Sequence, residues 1–93
     1  MRRPMVILGL AVLGSACTEK VRPTSEHNCV QVYYDGGGGR LVVTGKEVEK
    51  LSDTHVRVKD VKFRGGMTIY TPDTQVEVTS SNIAIVEGSC HPY

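Results

Sequence analysis

Tryptophan is absent from these 93 residues, phenylalanine occurs once, and cysteine only three times. No run of like charge is present, and beyond Arg2 and Arg3 nine Lys/Arg face ten Asp/Glu, interspersed along the chain. Without a basic footprint or rings for base stacking, neither phosphate neutralisation nor nucleobase recognition is supported, so no nucleic acid is expected as a partner. Apolar content is 40%, ordinary for a globular domain, so the composition does not point to disorder. No catalytic signature and no paired metal-ligand spacing stands in the chain, so no enzyme activity, cofactor or metal is expected.

The chain opens on a basic Met-Arg2-Arg3-Pro4, runs through the uncharged apolar stretch Met5 to Leu13, and reaches small residues at Gly14-Ser15-Ala16. That is the order of an export signal, and it predicts a signal helix over residues 1–16. As a helix, Pro4 to Ala16 would reach roughly 20 Å, short of the ~30 Å hydrocarbon core, so a permanent span is disfavoured. Cys17 follows directly.

Leu13-Gly14-Ser15-Ala16-Cys17 resembles the lipobox of bacterial lipoproteins, with Ala16 and Cys17 at its most restricted positions. It departs at Gly14, where an aliphatic residue is usual, so ordinary signal peptidase cleavage at the same bond is the alternative. The resemblance implies lipidation at Cys17 and a membrane as partner. Thr18 in place of Asp after the cysteine leans toward the outer membrane, if the host is Gram-negative. It covers only these first residues. In overall plan the chain is similar to small surface-exclusion lipoproteins, which block a receptor, although no specific motif carries that likeness.

Cysteine parity argues in the same direction. With Cys17 lipidated, Cys29 and Cys90 form an even pair at the two ends of the folded part. A bond between them closes roughly 60 residues and is worth about 4 kcal/mol, comparable to the whole stability of so small a domain. Residues 17–28, polar and holding Pro23, read as lipid anchor and flexible tether, and residues 29–93 as one small β domain.

Within that domain apolar residues alternate: Val30, Val32 and Tyr34; Leu41 and Val43; Val56 and Val58; Val61 and Phe63; Met67 and Ile69; Val76 and Val78; Ile83 and Ile85. Period two with β-branched residues predicts about seven short antiparallel strands. Turn formers separate them, above all Asp35 with Gly36, Gly37, Gly38 and Gly39. The expected fold is all-β: a meander, a curled sheet, or a half-open barrel or sandwich. Only Lys46 to Leu51 invites a helical turn.

The four glycines precede a strand, which favours a floppy hairpin tip over a phosphate cradle, and such a tip offers backbone to a partner. Tyr34 and Tyr70 add candidate contact area. Asp53 and His55 sit at alternate positions near a turn, more suited to hydrogen-bonding that turn than to acid–base work. Lys46, Glu47, Glu49 and Lys50 read as a solvated face. The combined expectation is a non-enzymatic, membrane-tethered lipoprotein of the cell envelope that binds or masks another envelope protein. An accessory structural subunit and a secreted β protein without lipid are the alternatives.

Overall fold

The computed structural model describes residues 18–92; the expected signal helix, the cleavage site and Cys17 lie outside them. Seven strands follow in order: β1 (Glu19–Val21), β2 (Asn28–Gly36), β3 (Gly39–Ser52), β4 (His55–Arg64), β5 (Met67–Thr68), β6 (Gln75–Thr79) and β7 (Ile83–Ser89). All pair antiparallel in one sheet that is not closed. The all-β expectation holds. β2 to β5 run as a meander; β6 then pairs with the first half of β4, and β7 crosses back to pair with β2.

The long strands β3 and β4 bend. Asp35 pairs with Arg40 at the start of β3, and Thr54 lies just past its end. A straight strand would hold these ends roughly 40 Å apart. Yet Ser80 donates its backbone N–H to Thr54 O (2.9 Å) and its hydroxyl to Asp35 O (3.2 Å). One serine touches both ends, so β3 doubles back and the sheet folds into two facing layers. The first holds β7, β2, the N-terminal half of β3, the C-terminal half of β4, and β5. The second holds β1, the remaining halves of β3 and β4, and β6.

The bend is built from a glycine and an irregular backbone. Val43 and Val48 both join the core although five residues apart, as do Val58 and Val61 three apart, so strict alternation fails in both strands. The β3–β4 register shifts between Thr44 and Gly45, and Asp60 adopts a positive φ of 55°. A Cβ at Gly45 would lie 2.6 Å from Val58 Cγ1 and 2.7 Å from the Lys59 carbonyl, so only glycine fits there.

Val30, Val32, Val43, Val48, Val56, Val58, Val61, Val76 and Val78 form the core between the layers, with Val21, Tyr34, Ile69, Ile83 and Ile85 packed around it. β-branched side chains stiff at χ1 suit a pleated surface and leave few rotamers to lose on burial.

Three expectations about β1 and β3 change. The segment read as a flexible tether is laid on the domain: Glu19, Lys20 and Val21 pair with Lys50, Glu49 and Val48, and Val21 packs on the core. Lys46 to Leu51 is strand, because β1 and β4 hydrogen-bond it on both sides. The solvated-face reading fails at Glu49, which is only 8% exposed.

Candidate functional site

Cys29 and Cys90 are joined, with Cα atoms 4.8 Å apart, and Cys29 is fully buried. The bond holds the C-terminal segment across the outer face of the first layer, where Cys29, Gln31, Val42, Thr44 and Phe63 are also buried. Buried polar groups there need partners, and that segment supplies them. Thr44 donates its hydroxyl to Cys90 O (2.8 Å), and Gln31 Nε2 donates to Ser89 O (2.7 Å). Tyr33 donates its hydroxyl to Gln31 Oε1 (2.9 Å). His91 sets its ring edge-on to Phe63, with centroids 5.9 Å apart, and its backbone N–H bonds Ser89 Oγ.

Between this segment and the chain leaving β5 lies a groove of about 310 Å³, lined by Lys62, Thr68, Ile69, Tyr70, Cys90 and His91. The Ile69 backbone N–H donates to Lys62 O (2.9 Å), which fixes the strand end that presents Tyr70. Tyr70 is 89% exposed. Lys62 Nζ sits 3.2 Å from Asp60 Oδ1, and the groove offers an aromatic face, an aliphatic floor and the polar groups of Lys62 and His91.

A second, open concavity is lined by Asp35, Gly36, Gly37, Gly38, Gly39 and Arg40. Its turn is tight: Gly36 pairs with Gly39, and Gly37 and Gly38 carry φ of 57° and 89°, as mirror-image two-residue hairpin turns require. The loop expected to be floppy is thus a register-locked hairpin. Asp35 is further held by Asn82 Nδ2 (3.0 Å) and by the Arg40 guanidinium (3.3 Å).

Tyr34 does not join either concavity; it faces inward and packs against the core beside Ile83. Of the sequence-level candidates, the tip gathers the glycines and the groove holds Tyr70 and Cys90. Lys62, Thr68 and His91 could not be anticipated, because the groove exists only once the disulfide folds the C-terminal segment over the sheet.

The outer face of the second layer carries charge. Lys20, Glu49, Arg57 and Glu77 form one cross-strand rung over β1, β3, β4 and β6, with Arg57 3.1 Å from Glu49 and 3.4 Å from Glu77. Burial pushes the Glu47 carboxyl up, but hydrogen bonding and charge from Arg22, aided by Lys59 and Lys20, outweigh it and hold it below its ordinary value. Hydrogen bonds from His55 and Arg57 lower Glu77 likewise. His55 Nε2 lies 2.8 Å from Glu77 Oε1, so its ring pairs with β6 and not with Asp53. Among the described residues no three His, Cys, Asp or Glu gather as a metal site, and no helix is long and apolar enough to cross a membrane.

No family model matches the chain, and neither curated protein sequences nor solved structures gave a match.

Proposed function

We propose that this chain is an exported, lipid-anchored, non-enzymatic domain of the bacterial envelope that binds another envelope protein through the groove around Tyr70. The observation that carries the reading is the exposed Tyr70 ring beside a groove whose far wall, Cys90 and His91, is locked by a disulfide. A pre-ordered aromatic surface binds at low entropic cost. The Cys29–Cys90 bond supports the anchor indirectly, since it leaves Cys17 as the odd sulfur and a disulfide is at home outside the cytoplasm. Leaning toward the outer membrane rests on Thr18 alone.

Because β1 begins at Glu19, only Thr18 separates Cys17 from the sheet in sequence, and an acylated Cys17 would hold the domain close to the bilayer surface. The Lys62 side of the groove lies beside the bend, at the other end of the second layer from Glu19 and Lys50. That arrangement turns the groove away from the anchor and favours it over the glycine tip as the contact surface.

Intact mass of the membrane-extracted protein tests the anchor: cleavage before Cys17, an acylated Cys17, and the two-hydrogen loss of one disulfide are expected together. Unprocessed chain in the cytosol with three free thiols overturns it. Capture from detergent-solubilised envelopes tests the groove. A stoichiometric protein partner retained by the parent and lost with Tyr70→Ala is expected; no partner, or equal capture by both, overturns the assignment.

A further inference from the structure

A sheet that does not close must protect its edges, since unpaired backbone groups accept another strand. Among the described residues, four strands carry an unpaired side: β1, β5, β6 and β7. Three are guarded. β1 is three residues long and presents Glu19 and Lys20; β5 is two residues; β6 has Glu77 at its centre, held in ion pairs. β7 is different. It runs seven residues, and Ile83-Ala84-Ile85-Val86 contains no charge, no proline and no bulge.

Its ends are occupied while its middle is free. At the C-terminal end Thr24 donates its backbone N–H and its hydroxyl to Glu87 Oε1, each at 3.0 Å, so the tether segment lies against that residue. At the N-terminal end Asn82 and Ser80 spend their side chains on Asp35. The core row also stops short at this edge. Val43 and Val32 are fully buried, but Ile85, paired to Val32, is only partly so, and Ile83 beside Tyr34 likewise. Val86, on the opposite face, is 46% exposed. An added strand with apolar residues opposite Ile83 and Ile85 would complete the row.

We infer that β7 pairs antiparallel with β7 of a second copy of this chain, joining two sheets into one about a two-fold axis at Ala84. A second copy meets this edge with a matching apolar row, and the sequence of the edge then sets the register. Only a two-fold centred on a residue keeps both apolar faces on the same side of the joined sheet. Centred on Ala84, Ile83 faces Ile85 of the second copy, and Glu87 faces Ser81 without meeting a like charge. Centred on Ile85, Glu87 would face Ile83 and force Thr24 into the seam. The pairing is independent of the Tyr70 groove and of the lipid, so either reading can fail alone.

The test is the association state of the full chain in density-matched detergent, measured by sedimentation against protein concentration. A reversible monomer–dimer equilibrium is expected. Ala84→Lys places two lysines face to face across the axis and should weaken the dimer about tenfold or more, while Val86→Lys, two residues off the axis, should leave it nearly unchanged. Circular dichroism checks that both remain folded. Under mild oxidation Ala84→Cys should crosslink, because facing Cα atoms in an antiparallel pair lie ~4.5–5.5 Å apart. Val86→Cys should not, its counterpart being roughly 13 Å away. A chain that stays monomeric at high micromolar concentration, or a dimer in which both cysteines crosslink equally, overturns the proposal.

Discussion

The two layers of the sheet share one valine core yet finish their outer faces by opposite means. The first is closed by the chain itself: the segment through Ser89, Cys90 and His91 lies over Thr44 and Phe63 and is held by the Cys29–Cys90 bond. The second is closed by alternating charges, Lys20, Glu49, Arg57 and Glu77, standing across four strands. A covalent closure acts through the unfolded state and keeps its effect in any salt. Partly exposed ion pairs gain little each and are screened. The first layer is therefore the stapled platform beneath the Tyr70 groove, and the second is a charged back.

The largest expected break in this asymmetry is Cys29→Ser with Cys90→Ser. With the cysteines 61 positions apart, the chain-entropy model assigns the bond about 4 kcal/mol, and urea unfolding should report a loss of that order. The loss should be uneven. Hydrogen exchange is expected to rise first in β2, β7 and the C-terminal half of β4, whose outer cover has been released, while β6 and the N-terminal half of β4 stay protected until global unfolding. Uniform loss of protection would mean the layers are one cooperative unit and the contrast is only cosmetic.

Gly45→Ala strikes both layers at their hinge. The new methyl would stand 2.6 Å from Val58 Cγ1 and 2.7 Å from a backbone carbonyl, and the backbone atom cannot swing aside as a side chain can. A loss of about 3 kcal/mol in denaturant midpoint analysis is expected, with protection falling in both layers together. Gly38→Ala, which has open space around it but a φ of 89°, provides the contrast and should cost only about 1 kcal/mol.

Thr44→Val narrows the question to the cover of the first layer. Thr44 is fully buried and its hydroxyl is the donor to Cys90 O. Valine keeps the shape and removes the bond, leaving that carbonyl without this donor, at a cost of about 1–2 kcal/mol. The binding proposed for the Tyr70 groove should weaken with it, because Cys90 is one of its walls.

How much of this could be seen in the sequence depends on the scale of the cause. Alternation at Val30, Val32 and Tyr34 or at Val76 and Val78 is local, and those strands stand where the period puts them. The count of seven strands came out through two compensating differences. Val56 to Phe63 is one strand that reads as two, because the bend at Asp60 breaks the period between Val58 and Val61. β1 went unseen because Glu19-Lys20-Val21 is short and charged, and its single inward residue, Val21, gives no period. The cysteine pair was legible from parity and position. The groove was not, since Lys62, Tyr70 and His91 meet only through the folded backbone.

Acid provides the finest probe of the charged layer. The Glu77 carboxyl is held below its ordinary value near 4.5, first by the hydrogen bond from His55 and then by Arg57; Glu47 is lowered too, through Arg22. A carboxyl lowered in the folded state binds protons less readily than in the unfolded chain. Its contribution is thus complete above about pH 4.5 and is lost as pH falls through the lowered folded value. Melting temperature should accordingly drop on going from about pH 6 to about pH 3, and the drop should be slightly smaller in Glu77→Gln, which has no proton to take up there. Added salt should shrink the difference between parent and variant at neutral pH, since both partners of this pair stand well into solvent. The same titration on the Cys29→Ser, Cys90→Ser protein separates the two kinds of closure. If the acid slope is unchanged while overall stability falls, charge and crosslink act on different layers, whereas a slope that vanishes with the bond would make the charged rung dependent on the stapled one.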